Sequence, residues 1–194
     1  AEDPGEAVVS RDTLVHDAKT RPLHVDAGVP YLPGFWRGFS PATDEIRTLV
    51  LDAKNGDSTA ILRLAGHLAK HPGLVGFRGL VVPAPRSSQE HPSLLPVAGA
   101  LVAFGVGGGA LEAFVRVLPL TSSRTIRREG GQLPTIEAHV RTLKLRALPP
   151  VRRILVVDDV VTDGTTLWAA RAVLRQRYPS APIWTAALAW TAKP

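Results

Sequence analysis

The chain has 194 residues, a formal net charge of +6, 45% hydrophobic and 21% charged residues, and neither cysteine nor methionine. That length suits one domain with a sizeable core. The missing cysteine excludes a disulfide framework, a thiolate zinc site and a cysteine nucleophile, and fits a reducing, cytoplasmic setting. With no initiating methionine the sequence is read as trimmed, and its acidic start, "AEDPGEAVVSRD", lacks the apolar stretch of a signal peptide.

Residues 1–43 are rich in Pro and Gly, and "PLHVDAGVPYLPGFW" has room for one or two short strands. From Thr43 the pattern turns helical. Thr43 reads as an N-cap with Asp44 and Glu45 in the first turn, and Ile46, Leu49, Val50 and Ala53 form a stripe. A second helix follows Asp57 and Ser58, with Ile61, Leu64, Ala65 and Leu68 on one face and a stop at His71-Pro72. His67 and His71 lie four apart, but no third ligand is in reach, so both read as surface histidines rather than a metal pair.

"GLVVPAPR" reads as a short apolar strand ending in a proline-framed turn. Residues 94–111 are uncharged and just reach the length of a short membrane span. Pro96 and five glycines, four of them within 105–109, favour a buried helix over 93–104 followed by a glycine turn. The same "GVGGGA" nominally fits a dinucleotide fingerprint. It follows a helix-like segment, and no acid closes a strand at the expected distance, so it too reads as a turn.

"EAFVRVLPL" gives a strand around 112–118, and 119–150 is a long polar connection with one amphipathic stretch, "TIEAHVRTLKL". Between Arg116 and Arg153 stand nine Lys/Arg against Glu129 and Glu137, a local balance of +7 that leaves the rest of the chain near neutral. Such a segment suits phosphates, in a small molecule or in nucleic acid; the plain alternative is a solvated arginine-rich loop. "RRILVVDD" is a fully apolar strand, Thr165 to Arg177 a helix with Leu167, Ala170, Val173 and Leu174 inward, and "PIWTAALAW" a last strand. Strands alternating with helices indicate an α/β fold with a parallel sheet.

Ligands of open parallel sheets bind at the carboxyl ends of the strands. Asp158 and Asp159 stand at such an end. The helix behind them opens near Gly164 with unpaired N–H groups, and Thr162, Thr165 and Thr166 add hydroxyls, which together make a phosphate cradle. The two carboxylates suit hydroxyl groups, or a magnesium ion shared with the ligand. A phosphate with a vicinal diol beside it is a ribose 5-phosphate.

"VVDDVVTDGTT" resembles the phosphoribosyl-pyrophosphate (PRPP) binding motif of type I phosphoribosyltransferases. A response-regulator receiver also carries "ILVVDD", but there the acids close the first strand, and no Thr/Gly loop follows. The resemblance implies a Rossmann-like parallel-sheet core over 44–194 with a flexible flap over 119–150, and a small N-terminal hood or extension over 1–43. It also implies a reaction: the 5-phosphoribosyl group passes from PRPP to a base or amine, pyrophosphate leaves, and Mg2+ is the cofactor. By the same resemblance, Asp158 and Asp159 hold the ribose hydroxyls and meet the metal only through ribose or water, and Thr162, Asp163, Gly164, Thr165 and Thr166 hold the 5-phosphate. "VVPAPR" resembles the pyrophosphate loop, often non-trans in the family, with Arg86 and the backbone of Ala84, Pro85, Arg86 and Ser87 facing pyrophosphate. Arg124, Arg127 and Arg128 fall in the flap. Asp158, Asp159 and Arg86 are the expected catalytic set. Where purine-salvage relatives hold a base-assisting aspartate, Thr162 cannot take a proton, so a hypoxanthine or guanine enzyme is not expected.

Within the family the chain is similar to the ComF-type branch, associated with competence for DNA uptake. "VPYLPGFW", then the helix ending at Lys54 and the helix after it, carry the likeness, and Arg128, Gln132 and Arg141 loosely match its flap. The four-cysteine zinc ribbon of that branch and its Arg-Gly-Phe-Asn stretch after Arg86 are absent here. Three readings stay open: an active transferase, a ComF-like accessory protein that handles single-stranded DNA, and a regulator that senses PRPP or a nucleotide without turnover. No membrane partner is expected, and a homodimer stays open.

Overall fold

The structure, a computed structural model, describes residues 24–26, 29–31, 41–87, 92–118, 134–161 and 164–190, together with 120, 126 and 131. It is an α/β fold around one six-stranded sheet. Strand β7 (Ile154–Val161) is the centre: its first four residues are buried, and it pairs in parallel with β8 (Ile183–Trp190) on one side and β3 (Leu80–Pro83) on the other. β4 (Gly109–Ala110) adds in parallel beyond β3. On the far flank β2 (Val29–Tyr31) joins β8 in parallel, and β1 (His24–Asp26) closes the edge antiparallel to β2. Both short strands read in the N-terminal segment are thus present, and they extend the central sheet.

Alternate residues of a strand face opposite sides, so a strand covered on both faces must be apolar throughout. Leu155 and Val157 pack on one side with Val50, Leu64, Leu68 and Leu101; Ile154 and Val156 pack on the other with Leu167, Ala170 and Leu174. Helices α1 (Pro41–Lys54), α2 (Ser58–Ala69) and α3 (Leu95–Ala103) supply the first layer. Helix α5 (Thr165–Arg177), with all four expected inward residues buried, supplies most of the second. Fully burying one such aliphatic side chain contributes about 1.5–3 kcal/mol.

The local signals explain most boundaries. Asp57 caps α2 by accepting from the Ala60 N–H at 2.7 Å, as its position in the sequence predicts. α1 starts two residues earlier than expected, at Pro41, so Thr43 lies inside the first turn and does not cap it. A proline's fixed φ and missing N–H suit that first position, and this outweighed the threonine signal. α3 ends in the glycine turn, where Gly107 has φ of +86° and a Cβ would sit 2.7 Å from Val81 Cγ2. At nine residues α3 is no membrane span, and among the described residues no helix is long and apolar enough to cross a membrane.

Several expectations are corrected here. The strand expected over 112–118 is β5 (Phe114–Arg116), and it lies outside the central sheet, antiparallel to β6 (Leu143–Leu145). The glycine run itself supplies the strand next to β3, which the apolar count of the sequence hides because glycine carries no side chain to count. The amphipathic stretch divides into α4 (Ile136–Arg141) and β6, so the region read as connection has packed structure at its C-terminal end. His71 is also not a surface residue. It is 6% exposed, its Nδ1 accepts from the Gly73 N–H at 3.1 Å, and burial holds its pKa below the ordinary histidine range.

Candidate functional site

Register decides what meets at the carboxyl edge of the sheet. Pro83 stands opposite Val157 and Asp158 opposite Ala187, so the turn after β3 and the acid pair of β7 emerge side by side. α5 begins at Thr165, just past the end of β7, so its N-terminus rises from the same edge. Asp158, Asp159, the turn 84–87 and Gly164–Thr166 are therefore drawn to one end of the fold. Thr162, Asp163, Arg124, Arg127, Arg128 and Gln132, also expected near the site, lie outside the described residues.

The acid pair is half-buried and locally fixed. Asp158 Oδ1 accepts from the Asp159 N–H at 2.9 Å, and Asp159 Oδ1 accepts from the Val160 N–H. The second oxygen of Asp159 takes the ammonium of Lys54, the last residue of α1. Burial pushes the Asp158 carboxyl up to about 7, against the pull of the Lys54 charge. Two adjacent carboxylates so arranged differ in kind: one has a cation partner, and the other exchanges its proton near neutrality.

The turn at the start of α5 is set by Gly164, whose φ of +76° belongs to the left-handed region that residues with a Cβ rarely adopt. The N-cap of this helix is Gly164, which has no side chain to offer; its carbonyl accepts from the Trp168 N–H at 2.9 Å. The first turn of α5, with the positive end of the helix dipole, therefore stands at the sheet edge. The Trp168 ring is close, with Cδ1 3.5 Å from where a Cβ on residue 164 would stand. Arg171 lies over that ring at 4.9 Å.

The turn after β3 offers fewer donors than the sequence suggests. The Ala84 N–H donates to the Val157 carbonyl at 2.7 Å, which continues the β3–β7 ladder by one residue. Pro85 has no N–H. Backbone donation to an anion from this turn therefore falls to Arg86 and Ser87. The turn contains no cis peptide. The Arg86 guanidinium is not simply open to a ligand either: it lies 3.6 Å from Glu112, which Arg146 also approaches at 4.0 Å. Ala84, Pro85, Arg86, Ser93 and Glu112 line a shallow depression there. A larger cleft, lined by Leu145, Arg146, Val173 and Arg177, lies toward the other end of α5 and contains none of the expected site residues.

Sequence reasoning missed three residues here. Lys54 was noted only as a helix end, and its pairing with Asp159 needs the packing of α1 to become visible. Glu112 has one faint signal, an acid placed directly after an uncharged run. Arg116, counted only as part of the basic segment, is 7% exposed and faces inward.

No protein-family model matches the chain. No curated protein matches it either. A solved structure, "Helicobacter pylori Xanthine-Guanine-Hypoxanthine Phosphoribosyltransferase", aligns at a TM-score of 0.36 and 16% identity, over 82% of this chain and 88% of that one. At that distance the likeness carries nothing about residues or substrate.

Proposed function

We propose that the chain is a PRPP-binding phosphoribosyltransferase, which passes the 5-phosphoribosyl group to a base or amine and releases pyrophosphate. The observation that carries this reading is the meeting of Asp158 and Asp159 with the Gly164-led start of α5 at the carboxyl edge of a parallel sheet. Hydroxyl groups of a diol need acceptors, and a phosphate needs N–H donors and a positive dipole end. Ribose 5-phosphate presents both needs at adjacent positions.

In this reading Asp158 and Asp159 hold the ribose hydroxyls, and Thr162–Thr166 hold the 5-phosphate. Arg86 and Ser87 meet the pyrophosphate, while Arg124, Arg127 and Arg128 bring positive charge from the flap. Their work is positional and electrostatic: the ribose is held for attack at C1 while cationic groups face the charge that builds on the departing pyrophosphate.

The donor set fits magnesium of one kind. Among the described residues no three His, Cys, Asp or Glu side chains gather around a point, and one oxygen of Asp159 already carries Lys54. That suits an ion arriving with the substrate phosphates and held through ribose and water, not one caged by protein. When bound, it would neutralise pyrophosphate charge.

The test is a screen of bases and amines for PRPP-dependent pyrophosphate release, with calorimetry of PRPP binding to wild type, Asp158→Asn and Asp159→Asn. Each charge-assisted hydrogen bond lost should cost about 1.5–3 kcal/mol of binding. Wild-type PRPP affinity in a folded double variant would end this reading.

A further inference from the structure

Arg116 closes β5 with a side chain that is 7% exposed, and burial holds its pKa below the ordinary arginine range. Its Nε–H donates to the carbonyl oxygen of Arg86, thirty residues back in the chain. Its Nη1 donates to Thr142 Oγ1, and that hydroxyl donates in turn to the His139 carbonyl at 2.8 Å. Among the described residues both acceptors of Arg116 are neutral oxygens. Among the described residues the carboxylate nearest this turn, Glu112, pairs with Arg86 and Arg146 and not with Arg116.

A cation buried on neutral acceptors is costly, since hydrogen bonds recover only part of the lost hydration. Arg116 stands opposite Leu143 in the β5–β6 register, a position that an apolar residue of a buried strand could also occupy. What an arginine supplies there is a grip on one carbonyl. A trans peptide is planar, so its C=O and the following N–H point in opposite directions. With the Arg86 carbonyl held toward Arg116, the Ser87 N–H is turned to the other side of the turn, away from β5.

We propose that Arg116 is a positioning residue of the 84–87 turn: it fixes the Arg86–Ser87 peptide so that the Ser87 N–H faces an incoming phosphate group, and it places a buried positive charge behind that donor. The inference rests on the proposed role of this turn in holding pyrophosphate. The link through Thr142 also ties the turn to the end of α4 and the start of β6, so the β5–β6 pair and the 84–87 turn share one anchor.

The experiment compares inorganic pyrophosphate and ribose 5-phosphate binding to wild type, Arg116→Met and Arg116→Lys by calorimetry, with thermal unfolding of each. Arg116→Met should weaken pyrophosphate roughly tenfold, the size expected of one charge-assisted contact. Ribose 5-phosphate, held by the acid pair and the α5 turn, should change less than about twofold. Arg116→Lys, which keeps the charge, should recover part of the loss. Equal losses for both ligands alongside a fallen melting temperature would reduce Arg116 to a structural residue and overturn the proposal. A second measurement needs no variant: the Arg116 Nε–H resonance of the wild type should move on adding pyrophosphate and stay still on adding ribose 5-phosphate, and a signal indifferent to pyrophosphate would overturn it as well. If wild type binds pyrophosphate and both variants bind it equally, the loop keeps its role and only that of Arg116 falls. If wild type binds none, the loop assignment itself is lost, and the role of Arg116 goes with it.

Discussion

The ammonium of Lys54, at the end of α1, lies against the second oxygen of Asp159, near the end of β7, and ties the first helix of the described core to the acid pair of the central strand. The pair works on both carboxylates. It neutralises Asp159 directly, and its charge pulls the pKa of the neighbouring Asp158 down while burial pushes it up to about 7. Removing the ammonium should therefore let burial act unopposed. In Lys54→Met the Asp158 carboxyl should titrate above its wild-type midpoint, as read by carbon NMR of labelled aspartate. A midpoint that stays where it was would separate Lys54 from Asp158 electrostatically. The Lys54 side chain is 47% exposed, so the shift is expected to shrink as salt is added.

The same raised pKa makes a statement about stability. The folded protein holds the Asp158 proton more tightly than the unfolded chain, whose aspartate titrates near 3.8. Between those two values the folded state binds more protons, so stability falls as pH rises. The contribution is fully present below about 4 and lost as pH passes through about 7. Asp158→Asn should flatten the slope of unfolding free energy over that window, measured by urea denaturation. Ribose binding should run the opposite way, since the charged carboxylate is the better acceptor: affinity for ribose 5-phosphate should climb toward pH 7 and level off above it. A stability slope unchanged in Asp158→Asn would contradict the buried, proton-holding carboxyl.

How much of this could be read from the residues alone divides along physical lines. β7, α5 and β8 were legible because each is a local signal: a continuous apolar run, a 3.6-residue stripe, and glycine at a turn that needs a left-handed φ. The acid pair was legible for the same reason, but it does not close the strand: β7 runs two residues past Asp159, and Val160 and Val161 still pair with β8. The edge strand β4 was not, since Gly109 and Ala110 carry almost no pattern and become a strand only because β3 offers them a partner. The Arg116–Arg86 bond and the Lys54–Asp159 pair each join residues far apart in sequence, and nothing in the spacing of charges distinguishes a cation that folds inward from one that stays in water. His71 failed in the same way: its burial depends on the turn at Gly73, not on its place in the helical stripe.

Gly164 gives the sharpest single test of the phosphate turn. Its φ of +76° costs a residue with a Cβ about 1–2 kcal/mol. Among the described residues the atom nearest that Cβ is Trp168 Cδ1 at 3.5 Å, an ordinary contact, so the penalty is conformational and not a clash. Gly164→Ala should therefore fold, with stability lowered by about that amount. The price would be felt in the turn, where relaxation toward a negative φ would re-aim the first N–H groups of α5. Phosphate and ribose 5-phosphate affinity should fall by roughly tenfold or more, because two or three donors lose alignment together. Trp168 supplies the readout: its half-exposed ring beside residue 164 should change emission when an anion enters the turn. Trp168→Phe should abolish that change while binding persists by calorimetry. Full phosphate affinity in Gly164→Ala, with the Trp168 response intact, would mean that the anion is held elsewhere and that the start of α5 is only a helix terminus.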